Sequence, residues 1–420
     1  MLRRNPVLLA LILAAGVIGM LVALTIFNYR YSRTNPGGND FLVHYIGTRT
    51  FLKEGISPYS DETALRIQTA AYGHPAEPGQ HELRVAYPLY SIVLFMPYAL
   101  VSDYDLARAL WMTTLEAALI AMALLSLRLT NWKPPLFMLT LFLLFSIFWY
   151  HAFRPLINGN AVILVALMIV GMLLALRSGA DELAGVLLAF ATIKPQVVLV
   201  LVIFMMVWSI LQHRYRLLAW FFGTLFLLCV SAALLMPVWI LQNLREVMRY
   251  PGYNPPGTPG AAFAVWLPAM GQRLGYILTG VLVVLLVVEW FLARRAEYRG
   301  FLWTACFTLV VAQWIGVQTD PGNFIVTFPA LVLVFAMLQE RWRRGGVILN
   351  VFVLLLVFVG IWAVFLGTVQ YGGQPQQSPV MFFPLPGLLL IMLFWVRWWA
   401  VRPPKVWFDM ISDHENLNLR

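Results

Sequence analysis

The chain has 420 residues, of which 61% are apolar and 11% are charged, and its formal net charge is +10. About a quarter of the residues in a soluble globular protein are charged, so this composition excludes that class. We predict an all-α polytopic membrane protein, because a helix satisfies its own backbone hydrogen bonds inside a bilayer. The basic excess indicates orientation and attraction to membrane lipids, and it predicts no nucleic-acid partner.

Apolar runs predict about twelve transmembrane helices, since about 20 residues cross roughly 30 Å of hydrocarbon. The first run follows Arg3-Arg4 and lacks a small-residue cleavage site, which favours a membrane anchor over a removed signal peptide. The predicted spans are residues 7–27, 85–101, 106–127, 136–153, 156–176, 183–211, 217–242, 274–293, 301–318, 322–338, 346–367 and 381–400.

Clusters of Lys and Arg at span ends predict the orientation. The clusters at residues 3–4, 213–216, 294–295, 341–344 and 397–405 fall on one side if the spans are counted in this way. That side is predicted to be the cytoplasm of a plasma-membrane protein, with both termini on it. The predicted external loops are residues 28–84, 243–262, 319–321 and 368–380. We expect two modules, one over residues 1–242 and a variable membrane module over residues 243–420.

One region disagrees with this orientation, because Arg128, Lys133 and Arg177 would be external while Arg154 would be internal. Two alternatives restore the pattern. Either the stretch at residues 87–101 is re-entrant, or residues 183–211 form a short hairpin with Lys194-Pro195 at its tip.

The first external loop is longer than a connection needs, and loops of such length often carry function. Apolar residues at helical spacing predict a helix from Asp40 to Leu52 that ends before Gly55. A second helix is predicted over Asp61–Tyr72, with Asp61 as its N-cap. Both are expected to be amphipathic helices in the membrane interface. The Pro- and Gly-rich residues 250–260 predict an irregular external loop that covers a site.

Other sequence features narrow the function. Cys229 and Cys306 lie inside apolar runs, so neither a disulfide framework nor a metal site is predicted, and no cofactor is expected. The absence of a GxxxxGK[ST] loop argues against an ATP-driven pump.

A set of short motifs, taken in order, resembles the polyprenol-phosphate-sugar-dependent glycosyltransferases of family 87, in the GT-C superfamily. The motifs are Asp40-Phe41, Tyr45, Gly55, Pro58-Tyr59, Tyr87-Pro88, Pro97, Asn158-Gly159-Asn160, residues 184–189 and Lys194-Pro195. Relatives often have Gly-Gln where this chain has Gly159-Asn160, and Tyr-Pro-Pro where it has Tyr87-Pro88-Leu89. These differences leave the identity of the substrate open.

The resemblance implies inverting transfer of a hexose, with mannose favoured, from a polyprenyl phosphate to a lipid or glycan acceptor on the external face. Such an acceptor hydroxyl must lose its proton, and Asp40 is the candidate general base. The leaving phosphate gains charge, and Lys194 is the candidate cation beside it, because a lysine among apolar residues indicates function. Arg245 and Arg249 are further candidates for contact with the donor phosphate. The candidates for substrate binding are His44, Tyr87, Asn158, Asn160 and Asp320.

Each assignment has an alternative. Asp40 could simply cap the helix that follows it. Lys194 could extend to the membrane interface or pair with Glu116. Asn158 and Asn160 could join helices together. In a different class of function, the chain would be a transporter or lipid flippase that uses Glu116, Lys194 and Glu289 as coupling residues; we find no internal repeats that favour this alternative.

Overall fold

The structure is a computed structural model that describes residues 6–254, 257–315, 318–372 and 374–401. The predicted basic residues Arg3-Arg4 and 402–405, and the Pro255-Pro256 pair, lie outside these residues. Helices make up most of the described chain, which agrees with the predicted all-α membrane class.

The first half of the described chain contains eleven α-helices. They are α1 (Pro6–Thr34), α2 (Asn39–Glu54), α3 (Asp61–Tyr72), α4 (Ile92–Ala99), α5 (Tyr104–Thr130), α6 (Leu136–Phe148), α7 (Tyr150–Asn158), α8 (Val162–Arg177), α9 (Asp181–Ala191), α10 (Pro195–Leu211) and α11 (Tyr215–Leu235).

The second half contains seven α-helices and one small antiparallel hairpin. The helices are α12 (Trp239–Tyr253), α13 (Pro259–Trp266), α14 (Gly271–Ala293), α15 (Tyr298–Ile315), α16 (Phe328–Trp342), α17 (Arg344–Thr368) and α18 (Pro384–Val401). The hairpin pairs β1 (Gln370–Gly372) with β2 (Gln374–Gln376).

Seven helical segments of the described chain are long and apolar enough to cross a membrane. An eighth qualifies if α6 and α7 are one span, which bends by 43° between them. The segment Pro321–Trp342, a 3₁₀ turn followed by α16, is buried throughout its apolar stretch and lies at the centre of the bundle. α1 lies at the edge, where it packs on α5 and exposes most of its apolar surface.

Hydrogen bonds and ion pairs join the basic residues at one end of the bundle. Arg177 donates to the carbonyl of Arg128 at 2.6 Å, and Arg214 pairs with Asp181 at 3.3 Å. Gln212 donates to the carbonyl of Arg294. We call this the basic end. Arg128 and Arg177, which conflicted with the predicted orientation, lie at this end with the other basic residues.

The opposite end, which we call the Asp40 end, holds the segment between α1 and α5. Tyr29 at the end of α1 donates to Asp103 at the start of α5 at 3.0 Å, so these two helices run antiparallel. Since α1 ends where α5 begins, the residues between them start and finish at the same end of the bundle.

The span predicted at residues 85–101 is wrong as a single crossing. This stretch contains a 3₁₀ turn and the eight-residue α4, about 12 Å long at 1.5 Å per residue, which cannot cross a bilayer. Tyr87 before α4 accepts a hydrogen bond from Tyr59, and Val101 after it accepts one from Tyr45. Both flanks of α4 are therefore held by the same segment, as the re-entrant alternative predicts.

The run predicted as one span at residues 183–211 is two helices, α9 and α10, with a break at residues 192–194. Pro195 occupies the first turn of α10, where its missing N–H costs no helical hydrogen bond. Asp181, the first residue of α9, and Arg214, which follows α10, form an ion pair at the basic end. The chain therefore turns back at Lys194, as the hairpin alternative predicts.

The predicted bounds of α3 are confirmed. α2 is longer than predicted, since it begins at Asn39 and ends at Glu54, but it ends before Gly55 as expected, with Gly55 in a left-handed conformation. The N-cap of α3 is Ser60 and not Asp61, because the Ser60 hydroxyl accepts from the Thr63 N–H. Their predicted position in the membrane interface stays a prediction.

The irregular loop predicted at residues 250–260 is largely helical where it is described. Tyr250 to Tyr253 complete α12, with Pro251 inside its last turn, and α13 begins at Pro259 with Thr258 as its N-cap. Proline is compatible with the first turn of a helix, which is why a count of turn-forming residues misled the prediction here.

Candidate functional site

Asp40 lies in the first turn of α2, half-buried. The N-cap of α2 is Gly38, in a left-handed conformation with φ 76°, and no side chain caps the helix. A Cβ at Gly38 would lie 2.6 Å from Nε of Arg108, and Arg108 also donates to the carbonyl of Asn35 at 2.7 Å. The turn into α2 is therefore tightly packed. Because Gly38 is the N-cap and no side chain caps the helix, the alternative that Asp40 is only a helix cap is wrong.

Asn160 connects Asp40 to the rest of the site. Its Nδ2 donates to Oδ2 of Asp40 at 3.0 Å. Its Oδ1 accepts from Nζ of Lys194 at 2.8 Å and from the Val162 N–H at 3.0 Å. Because both of these partners can only donate, the amide orientation of Asn160 is fixed by its surroundings. Asn160 thus bridges a carboxylate and an ammonium group that the sequence separates by more than 150 residues.

The backbone before Asn160 is held by close packing. Gly159 adopts φ 71° at the end of α7, and a Cβ there would lie 2.5 Å from Cβ of Phe41. The indole N–H of Trp111 donates to the carbonyl of Gly159 at 2.7 Å. Phe41 follows Asp40 in the chain, so the close approach of Gly159 to Phe41 holds the two segments of the site against each other.

Lys194 lies in the break between α9 and α10 and is 4% exposed. Its Nζ lies 5.7 Å from the centre of the Tyr87 ring, within the range of a cation–π contact. Lys194 does not pair with Glu116 as the alternative proposed, because its Nζ is bonded to Asn160, while Glu116 accepts from Nδ2 of Asn28 at 2.9 Å. The lysine charge is therefore held next to Asn160 and Tyr87.

A second ion pair lies near this group. Arg154 of α7 contacts Asp320 at 2.9 Å, and Oδ1 of Asp320 also accepts from the Gly322 N–H at 2.8 Å. Burial alone would raise the pKa of Asp320. The Arg154 charge and the Gly322 hydrogen bond outweigh burial, so the pKa of Asp320 is lowered and its carboxylate stays ionised.

The surroundings shift the pKa of Asp40 in the opposite direction. Burial raises the pKa of Asp40, and the negative charge of Asp320 raises it further. Lys194, Arg154 and the Asn160 hydrogen bond lower the pKa, but they do not reverse the rise. A carboxylate with a raised pKa is a stronger base than an ordinary aspartate, which suits it to accepting a proton.

His44 and Tyr87 lie beside the Asp40 group. The His44 ring stacks on Phe95 at 4.4 Å and contacts the Tyr87 ring at 4.2 Å. Burial and the Lys194 charge lower the pKa of His44 to about 3, so the ring is neutral near pH 7. The hydroxyl of Tyr87 donates to Oδ1 of Asn160 at 3.4 Å.

Three predicted residues have no hydrogen bond, ion pair, ring contact or electrostatic interaction with this group within the described residues. The Asn158 side chain has no hydrogen-bond partner within the described residues and is partly exposed. Arg249 pairs with Glu82 at 2.7 Å, so its charge is already balanced. Arg245 is exposed on α12, and its electrostatic interaction is with Asp61. Neither arginine contacts Asp40 or Lys194.

The intramembrane acids singled out in the sequence have structural partners. Glu289 forms a two-point pair with Arg397, with both contacts at 2.9 Å. Glu116 is bonded to Asn28, which joins α5 to α1. Both acids hold helices together.

The sequence prediction missed two residues of the site. Arg154 is a charged residue at the end of an apolar run, a signal of function that was set aside because it conflicted with the predicted orientation. Tyr250 forms a hydrogen bond with Thr319 and interacts electrostatically with Asp40, and burial raises its pKa to about 12. Nothing in the sequence around Tyr250 distinguishes it from an interfacial tyrosine.

The fold and the site define a polytopic helical membrane protein with a carboxylate, an amide and a buried lysine joined at one end of its bundle. The model of glycosyltransferase family 87 matches residues 86–313, more than half of the chain, and the chain belongs to that family. It is therefore a membrane glycosyltransferase. No curated protein and no solved structure matches it. The matched region includes Tyr87, Asn160 and Lys194, whereas Asp40 and Asp320 lie outside it.

Proposed function

We propose that this glycosyltransferase transfers a hexose from a polyprenyl phosphate to a hydroxyl group of a lipid or glycan, with inversion and without a metal ion. Mannose is the favoured sugar because of the sequence resemblance. The observation that carries the proposal is the continuous link from the Asp40 carboxylate through Asn160 to the Lys194 ammonium group. A base and a cation held apart by an uncharged amide are what the two halves of this reaction require.

The first half of the reaction is removal of a proton. The acceptor hydroxyl gives its proton to the free oxygen of Asp40 as its own oxygen attacks the anomeric carbon of the sugar. Asn160 donates its hydrogen bond to Oδ2 of Asp40, which leaves Oδ1 to take the proton of the acceptor. A positioned general base contributes roughly 10²–10⁴-fold to the rate.

The second half is departure of the lipid phosphate. As the bond between the anomeric carbon and the phosphate oxygen breaks, its electron pair passes to that oxygen. The Lys194 ammonium group has three N–H donors, and one is bonded to Asn160. The others are available to stabilise the growing negative charge. Asn160 also keeps Lys194 from pairing directly with Asp40, since such a pair would make the base weaker.

The remaining residues are proposed to bind the substrates around these two groups. Tyr87 and His44 would contact the sugar beside Lys194, and Asn158 would hydrogen-bond to it. Asp320 would contact the acceptor, with Arg154 holding its carboxylate in place. Arg245 and Arg249 would contact the donor phosphate only at the membrane surface, because Arg249 is paired with Glu82.

The site is proposed to open on the extracytoplasmic face of the plasma membrane, with both termini in the cytoplasm and about twelve helical crossings. Support comes from the basic end, where Arg128, Arg177, Arg214 and Arg294 collect, as expected of a cytoplasmic surface. Asp40 lies at the opposite end. Residues 1–242 would then form the catalytic module, and residues 243–420 would contribute Asp320 to it.

A donor panel tests this proposal. The purified protein in lipid nanodiscs is incubated with radiolabelled polyprenyl-phosphate mannose, glucose, galactose and arabinose, together with membrane lipid extracts. Labelled product from one of the hexose donors, and none from the matching nucleotide sugar, is expected. Transfer from the nucleotide sugar alone, or from the pentose donor alone, would contradict the proposal.

A further inference from the structure

The helix α12 has two contrasting faces. Trp239 and Glu246 are buried on the inner face, 5% and 2% exposed. Five large apolar residues form the outer face. They are Ile240, Leu241, Leu244, Val247 and Met248, and their exposed fractions range from 44% to 70%. At about 100° per residue, Leu241, Leu244 and Met248 project from the side of the helix opposite Trp239 and Glu246. Ile240 and Val247 lie on the flank beside them.

The inner face of α12 holds the segment that carries Tyr87. Nδ2 of Asn243 donates to the carbonyls of Ala86 and Tyr87, at 3.0 and 3.1 Å. Glu246 forms a buried pair with Arg84, whose Nε lies 2.5 Å from Oε2 of Glu246. These bonds reach from α12 to the residues directly before the site, so a shift of α12 would move Tyr87.

The outer face continues an apolar surface that belongs to a candidate membrane span. α11 ends at Leu234 and Leu235, which are 82% and 65% exposed, and Val238 connects them to α12 at 51%. An apolar surface of this extent marks a membrane or protein contact. Arg245 and Arg249, four residues apart, lie on one edge of the helix, where lipid headgroups would meet them.

The helix α3 offers a contrast within the same end of the bundle. Its exposed residues include Asp61 and Glu62, and Leu65 is an isolated leucine 46% exposed among polar neighbours. The outer face of α3 is therefore suited to water, while that of α12 is suited to hydrocarbon.

We propose that α12 binds a phospholipid leaflet, with its five apolar residues among the acyl chains and Arg245 at the phosphate groups. Seated in this way, α12 holds the Tyr87 segment against Asn160 and couples the membrane surface to the site. The coupling rests on the proposed function, whereas the lipid contact does not.

Fluorescence quenching tests the lipid contact without any enzyme assay. In a Cys229→Ala background, single cysteines at Leu241, Met248 and Leu65 carry an NBD fluorophore, in nanodiscs with or without brominated acyl chains. Cys306 is fully buried and stays unlabelled. Blue-shifted emission and quenching are expected at positions 241 and 248, and neither at position 65. Equal behaviour at all three positions, or cross-linking of position 248 between two chains without quenching, would overturn the proposal.

The coupling is tested in the same nanodiscs. Replacing Leu241 and Met248 together by glutamine should lower sugar transfer roughly tenfold, because a small displacement of site residues is costly. Leu65→Gln is the matched control and should leave transfer unchanged. If quenching occurs but the double variant transfers sugar at the normal rate, α12 is a membrane anchor and the coupling is wrong. If the unsubstituted protein transfers no sugar, only the proposed function fails, and the quenching result still stands.

Discussion

Replacing Gly159 by alanine, with Gly55→Ala as the comparison, should distinguish the destabilisation caused by tight packing in the site from that caused by backbone strain alone. Gly159 and Gly55 both end helices in nearly the same left-handed conformation, φ 71° and 69°. Their surroundings differ. A Cβ at Gly55 meets no atom within 4 Å, whereas a Cβ at Gly159 would lie 2.5 Å from Cβ of Phe41. Phe41 is fully buried and stacks between Trp111 and Tyr104, so it has no room to move.

The expected energies follow from these two differences. An alanine in the left-handed region costs about 1–2 kcal/mol, and this cost applies at both positions. Forcing an extra carbon into a packed core costs about 1–3 kcal/mol more, which applies only at Gly159. Gly55→Ala should therefore lower the free energy of unfolding by about 1–2 kcal/mol and Gly159→Ala by about 2–5 kcal/mol.

The activities should differ more than the stabilities. Gly159→Ala pushes Phe41 and with it Asp40 away from Asn160, and a displacement near 1 Å can cost on the order of 100-fold in rate. Gly55 lies at the far end of α2, so Gly55→Ala should leave the rate nearly unchanged. Denaturant unfolding and sugar transfer measured on both variants check this. Equal stabilities and equal rates for the two variants would refute the reasoning.

Three further predictions concern the charges and the orientation. Lys194→Ala should weaken donor binding by about 10- to 100-fold, because it removes a hydrogen bond from a charged group. Lys194→Arg should retain part of the donor affinity. If Lys194→Ala binds the donor with unchanged affinity, Lys194 is structural. Asp40 must be ionised to act as a base, so kcat/KM should rise with pH through the pKa of Asp40. Asp320→Asn removes a charge that raises this pKa, so the acidic limb of the profile should move to lower pH, and an unmoved limb would contradict the coupling. A cysteine at Glu77 should react with an impermeant thiol reagent from outside intact cells and one at Ser178 should not; the reverse pattern would invert the proposed orientation.

Much of the fold could be predicted because its signals are local. Gly55 and the spacing of apolar residues defined α2, and the membrane class followed from composition alone. The error at residues 85–101 arose because hydropathy measures how apolar a run is and not where its ends lie. Only the hydrogen bonds of Tyr59 and Tyr45 to the two flanks of α4 reveal that the chain enters and leaves α4 at the same end of the bundle.

The site could be predicted only in part, because its parts come from segments far apart in sequence. Asp40 was chosen from the family resemblance and Lys194 as a charge among apolar residues, and the structure brings both to Asn160. That bridge depends on how the break at Lys194 folds back onto the end of α7, which no sequence pattern encodes. Arg249 was a candidate for phosphate binding because it is basic and near a span end, but its partner Glu82 lies in a different loop.

The most direct test of the account is the activity of Asp40→Asn together with its affinity for the donor. Asparagine can still accept the hydrogen bond from Asn160, and it removes a carboxylate that burial makes costly to ionise. The variant should therefore fold at least as stably as the original protein and bind the radiolabelled polyprenyl-phosphate hexose normally. Its rate of transfer should fall by roughly 10²–10⁴-fold, the contribution of a general base. Transfer at a near-normal rate by a folded, donor-binding Asp40→Asn protein would show that Asp40 is not the base.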